Sequence, residues 1–121
     1  MTPARAWSDP NVDIEPLPDD GPVLITVEYQ IDPEEAERFV PAMEELGRIR
    51  RRDGAYRWGL YGDLEQAGVY LETFVVDSWS EHLRQHERLT VADLELTRLT
   101  KSFHRGEEPP VVRHLLWAPE R

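Results

Sequence analysis

The chain reads as an α+β domain of ferredoxin-like type, with its elements in the order β-α-β-β-α(α)-β. Three observations predict it. The segments VLITVEYQI (23–31) and VYLETFVV (69–76) are rich in β-branched and aromatic residues and alternate in the two-residue rhythm of strands. DPEE (32–35) and SWSE (78–81) carry the residue types that open helices. The pair Pro109–Pro110 stops the last helix and releases a final extended run, VVRHLLW (111–117). Elements in this order fold as a four-stranded antiparallel sheet with the helices on one face.

Each element has its own justification. Residues 1–21 mix Pro3, Pro10, Pro16 and Pro18 with Asp9, Asp13, Glu15, Asp19 and Asp20. Such a segment neither propagates a helix nor fills a core, so it reads as a linker or leader to a domain over 22–118. Trp7, Val12, Ile14 and Leu17 are the linker residues apolar enough to dock on that domain. After strand 1, Asp32 is the expected helix cap, Pro33 takes the first helical position, and Glu35 lies three residues after the cap. Ala36, Phe39, Val40, Met43 and Leu46 form the buried stripe, and Pro41 is expected to bend the helix. Arg48, Arg50, Arg51 and Arg52 fall at its end, where cations complement the helix dipole, and are expected to be solvated; Gly54 is the stop. AYRWGLY (55–61) and the 69–76 segment form a hairpin through a turn at 62–68. Ser78 and Glu81 make a capping box, and Thr90 with Asp93 begin a further helix carried by Ala92, Leu96, Leu99 and Phe103.

Composition excludes several functions. A chain of 121 residues with 40% hydrophobic content can build one core. It has no cysteine, which removes disulfides, thiolate chemistry and cysteine-held zinc or iron–sulfur sites. A formal charge of −10 argues against nucleic acid and against unaided binding to an anionic membrane surface. No apolar run approaches the roughly 20 residues that span a bilayer. The expectation is a soluble, cytoplasmic domain that inserts into no membrane itself.

The sheet predicts a partner. Strand 1 alternates Val23, Ile25, Val27, Tyr29 and Ile31 with Leu24, Thr26, Glu28 and Gln30. Strand 3 alternates Val69, Leu71, Thr73 and Val75 with Tyr70, Glu72, Phe74 and Val76. A second face carrying Tyr70 and Phe74 would be a large bare patch on a monomer. A homodimer formed sheet on sheet is therefore expected, with Glu28, Glu72 and Arg57 as a polar pairing inside the interface.

GPVLITVEYQIDP (21–33), RDGAYRWGLYGD (52–63), ETFVVDSWSEHLRQHERLTVAD (72–93) and the closing SFH (102–104) and PPVVRHLLW (109–117) carry a family resemblance. Over residues 7–117 they resemble the soluble C-terminal domain of the bacterial major-facilitator exporters called transmembrane secretion effectors, or enterobactin-exporter-like transporters. The resemblance implies a domain that follows the last membrane helix, with the acidic, proline-rich start as connector. It places the domain at the inner membrane when joined to a transporter. This chain holds no transporter of its own, so transport is not its expected activity. The domain also resembles the antibiotic-biosynthesis-monooxygenase group of dimeric α+β barrels, which implies oxygenation without metal, flavin or other cofactor.

The candidate chemistry lies in the second helix. On a helical wheel Trp79, His82, Leu83 and His86 share one arc of roughly 100°, facing the sheet. Three readings of the two histidines stay open. They are half-polar core residues; or His82 or His86 is a catalytic base beside an apolar pocket; or they chelate a metal or haem iron. The sequence HLRQH lacks the Glu of the metalloprotease HExxH pattern, and no third ligand is demanded by spacing, so no metal is expected. In the catalytic reading Trp79 and Trp58 wall the pocket, and Tyr56 or Arg57 orients a small apolar or aromatic ligand. His104 reads as a helix-end cap, His114 as a core or interface residue, and Trp117 as core. Two functions follow: a non-catalytic ligand-binding or dimerisation module, or a cofactor-independent monooxygenase acting on an aromatic or quinol-like substrate.

Overall fold

The computed structural model describes residues 16–85 and 90–119. It contains β1 (Val23–Gln30), α1 (Ala36–Arg52), β2 (Tyr56–Gly62), β3 (Val69–Val76), α2 (Trp79–Gln85), α3 (Val91–Ser102) and β4 (Val111–Leu116), with a 3-10 turn at Pro33–Glu35 leading into α1. The sheet is antiparallel in the order β2-β3-β1-β4, and the fold is the expected ferredoxin-like one.

Local signals set the helix starts. The Asp32 side chain accepts from Glu34 N at 3.0 Å and opens the 3-10 turn that feeds α1. The Ser78 hydroxyl accepts from Glu81 N at 3.2 Å. Thr90 and Asp93 complete a reciprocal capping box at α3, each side chain taking the other's backbone N–H. Pro41 lies inside an unbroken α1.

Strand register decides which side chains the helices cover. Val23, Ile25, Val27 and Tyr29 of β1 stand opposite Val76, Phe74, Glu72 and Tyr70 of β3, and one pleat carries all of them to one face. That face is the buried one. Tyr70 and Phe74 therefore belong to the core, not to a bare second face: Phe74 is fully buried and Tyr70 stacks on Phe39 with ring centroids 5.3 Å apart. Phe39 also meets Tyr29 and Phe103 edge-on.

Glu72 is corrected with them. It is fully buried under α1 and pairs with Arg50, not with Glu28 or Arg57 across an interface. Arg50 Nε and Nη2 donate to the two carboxylate oxygens at 3.0 and 3.1 Å, a bidentate pair. Trp58 Nε1 donates to the same carboxylate at 2.8 Å and the Tyr29 hydroxyl at 3.4 Å. The Arg50 guanidinium also lies 4.6 Å over the Phe74 ring. Of the arginine cluster only Arg50 leaves the solvated helix end. Arg48, Arg51 and Arg52 stay exposed, Arg48 paired with Glu45 and Arg51 over the Trp58 ring, while Arg52 reaches Asp93 at 2.6 Å and ties α1 to the α3 cap.

The inward faces of the shorter helices also shift from expectation. α2 buries Trp79, His82 and Gln85, while Leu83 is exposed, because Gln85 Nε2 reaches the Asp53 carbonyl. α3 buries Asp93, Thr97 and Thr100, and Ala92 and Leu99 face out. Thr97 and Thr100 satisfy their hydroxyls on carbonyls of their own helix.

Glu72→Gln removes the charge with which the buried Arg50 guanidinium forms its bidentate pair. Urea unfolding should show a loss of about 3–5 kcal/mol, with part of it restored in the double variant Arg50→Met/Glu72→Leu. A loss for Glu72→Gln below about 1 kcal/mol would assign the pair no more than an ordinary hydrogen bond's contribution.

Candidate functional site

The sheet has two faces, and the candidate residues divide between them. On the covered face, α2 lays Trp79 and His82 against β4. His114 pairs with Ile25 across the β1–β4 ladder and so points to the helix side. Three rings meet there. The His82 and His114 centroids are 4.8 Å apart, Trp79 and His82 are 5.4 Å apart, and Trp79 meets His114 edge-on at 6.0 Å. Trp79 and His82 are buried, as the helical wheel requires. The partner sequence reasoning missed is His114. The signal was its place in VVRHLLW, on the same strand parity as Val112 and Leu116, which pack against the core. His86 lies outside the described residues.

Burial desolvates His114 and lowers its pKa from the ordinary 6.5, because the charged imidazolium loses water. Its Nε2 is buried with no hydrogen-bond partner among the described residues. An imidazole so desolvated favours the neutral form, which can accept a proton from a bound acid. Among the described residues, no three His, Asp or Glu side chains converge as a metal-ion cage.

His104 has a different task from capping a helix by its charge. Its Nδ1 accepts from Gln30 N at 3.0 Å and its Nε2 lies 3.0 Å from the Glu108 carbonyl, so the proton sits on Nε2. With Arg105 N donating to the Gln30 carbonyl, this fastens the end of β1 to the segment before β4.

Trp58 does not join the Trp79 cluster. It packs between α1 and the sheet edge, held by Glu72, and only a glycine fits beneath it: a Cβ on Gly47 would meet the indole at 2.7 Å. Tyr56 and Arg57 fall on the opposite, uncovered face. A register break opposite β3, between Tyr56 and Gly59, separates them from Trp58, and Arg57 takes a left-handed backbone with φ of 53°. There they line a groove of about 700 Å³ with Leu24, Tyr61, Val75 and Trp117. Trp117 is 56% exposed, so it is a surface residue of this groove and not core. The single pocket walled by Trp79, Trp58, Tyr56 and Arg57 is therefore not formed among the described residues.

On the covered face the space near the Arg50–Glu72 pair is nearly filled. About 30 Å³ remains among Val27, Tyr29, Arg50, Thr97, Lys101 and the Pro109–Pro110 segment. That is the share of one water molecule in liquid water.

Comparison with known proteins agrees with this architecture. The model of the transmembrane secretion effector family matches residues 1–121, and the chain belongs to that family. Among solved structures it is similar to a protein assigned as an antibiotic biosynthesis monooxygenase from Caulobacter crescentus. The identity is 17%, the TM-score 0.69, and 84% of this chain and 93% of that one are covered. It is also similar to an assigned antibiotic biosynthesis monooxygenase from Bordetella bronchiseptica, with 17% identity, a TM-score of 0.66 and coverage of 81% and 98%. A variant of SnoaB, a cofactor-independent oxygenase from Streptomyces nogalater, matches with 14% identity, a TM-score of 0.59 and coverage of 82% and 93%. No curated protein matches the chain. Identities this low establish the fold and nothing finer.

The His114 shift fixes a sign for pH dependence. The unfolded chain takes up a proton near pH 6.5 that the folded imidazole resists, so His114 costs no stability above that pH and removes stability as pH falls toward its lower folded value. The thermal midpoint should decline between pH 7 and pH 5, and His114→Gln should flatten that slope. Equal slopes would show the imidazole to be as readily charged in the fold as out of it.

Proposed function

We propose that this member of the transmembrane secretion effector family is a non-catalytic, cytosolic module that pairs with a second copy through the uncovered face of its sheet and serves as a ligand-binding or dimerisation appendage of export machinery. One observation carries the reading. In a chain that is 31% charged, the uncovered face gathers Leu24, Val75, Leu115 and Trp117 with Tyr61 into an apolar patch at one end, and carries Val111 beyond Arg113 and Glu28. An apolar face of that kind favours burial against another. A two-fold axis through the sheet would present each such residue to its own kind or to a neighbour, the self-complementary arrangement of isologous dimers. Arg113 and Glu28 lie on this same face, two residues apart in register on β4 and β1, and can exchange partners across the axis. Among the described residues no helix is long and apolar enough to cross a membrane.

A second reading, cofactor-independent oxygenation of a quinol-like aromatic, is favoured by one observation, the cluster of buried Trp79 and His82 with half-buried His114. The likeness in fold to a cofactor-independent oxygenase is consistent with it. There the imidazole would remove the substrate's hydroxyl proton, and the resulting anion would react with oxygen.

Light scattering should give a mass near twice 14.1 kDa at micromolar concentration. Leu115→Glu, which sets a carboxylate against the second sheet, should return the mass to 14.1 kDa with circular dichroism unchanged. A wild-type mass of one chain would overturn the pairing. With hydroquinones, oxygen uptake should equal the buffer rate; a faster rate that folded His82→Ala or His86→Ala abolishes would replace this reading with the oxygenase.

A further inference from the structure

The uncovered face is not level, and the hollow in it has a chemistry of its own. The groove of about 700 Å³ falls within the roughly 300–1,000 Å³ typical of small-molecule sites. Its side walls are aromatic: Tyr56 and Tyr61 from β2, and Trp117 just beyond β4. Leu24 and Thr73 lie between them. Among the described residues the lining holds one charged side chain, Arg57, and no Asp or Glu. In a chain of net charge −10, that is a marked local inversion. The Tyr56 hydroxyl hydrogen-bonds to the Asp77 carboxylate at the groove's margin.

The backbone is shaped to produce this arrangement. Arg57 occupies a left-handed conformation, disfavoured for a residue with a Cβ, at the point where β2 breaks register with β3. Bulges of this type re-aim a side chain, and here Arg57 is brought to the groove. Two residues on, Gly59 has no side chain, and the Tyr61 ring fills the vacated position: a Cβ on Gly59 would lie 2.8 Å from it. The strained arginine and the glycine-seated tyrosine thus serve one hollow.

One copy leaves the hollow roofless, since Tyr61 is 62% and Trp117 56% exposed. Small-molecule sites bury about 70–90% of their ligand, so the site needs a second sheet to close it. We propose that two paired copies enclose a binding chamber for a planar apolar molecule bearing one anionic group, with its rings against Tyr56, Tyr61 and Trp117 and its anion on Arg57. The inference rests on the sheet-to-sheet pairing and assigns the class of ligand to it. A planar ligand suits aromatic walls, and a guanidinium takes a carboxylate or sulfonate through two parallel N–H donors.

The test uses the full chain and two dyes of the same shape, anionic anilinonaphthalene sulfonate and uncharged N-phenylnaphthylamine, with dye fluorescence and light scattering read on the same samples. The anionic dye should bind the dimer saturably. Arg57→Gln should weaken it about tenfold, the loss of one charge-assisted contact, while leaving the uncharged dye within about twofold and the mass unchanged. Gly59→Val, which displaces Tyr61, should weaken both dyes. If the protein is dimeric and the anionic dye binds no better than the uncharged one, or Arg57→Gln changes neither, the chamber is refuted and the pairing stands. If the protein is monomeric, the pairing falls and the chamber with it.

Discussion

The Arg50–Glu72 pair is the constraint around which the domain is organised. It joins the last turn of α1 to the middle of β3, and it is buried on both sides. Two charges withdrawn from water are tolerable only when each is fully matched. The matching recruits the rest: Trp58 and Tyr29 donate to the same carboxylate, and Phe74 lies under the guanidinium. Trp58 in turn requires Gly47 on α1, and Tyr29 meets Phe39 about two turns upstream. The angle and depth at which α1 sits on the sheet follow from satisfying one carboxylate. Replacing that polar centre by apolar side chains would keep the burial and lose the geometric instruction.

With its polar centre used in this way, the covered face leaves little space beside the Arg50–Glu72 pair, and a shallow hollow of about 290 Å³ opens at its edge between Val40, Glu44, Trp58, Leu60 and Tyr70. Two further places carry the functional options. One is the ring cluster of Trp79, His82 and His114 at the β4 side of the sheet, where desolvated imidazole is held by packing. The other is the uncovered face, which is apolar, hollowed and cationic where the rest of the molecule is acidic. The proposed module uses the second and treats the first as core. The family to which the chain belongs and the fold it shares with oxygenases are compatible with that division, since a fold lends itself to several functions.

The legible and illegible parts of this protein separate along physical lines. Helix starts at Asp32, Ser78 and Thr90 are written locally, in residues that reach their own backbone, and the sequence displays them. The inward turn of Trp79 and His82 is likewise a property of one helix. The face of Glu72 was not legible, because alternation says which residues share a face and not which face the helices cover; that needed the Ile25–Phe74 register. Arg50 was hidden by its charge, although it lies four residues after Leu46 on the same buried stripe. Tyr56 and Trp58 are two apart, so strand alternation groups them. The break at Arg57 sends them to opposite faces, and no composition rule foretells a bulge. His114 joins the ring cluster only through pairing of the first strand with the last, the longest-range contact in the fold.

One modest contact has a consequence for how the domain can be tethered. The carbonyls of Pro18 and Asp20 accept from the first N–H groups of α2, Ser80 and Trp79. The polypeptide entering the domain is thus moored on the helical layer, and it crosses to the sheet only at Pro22. Residues 18–20 therefore lie on the side away from the one a second sheet would meet, and a twin can approach without breaking this mooring.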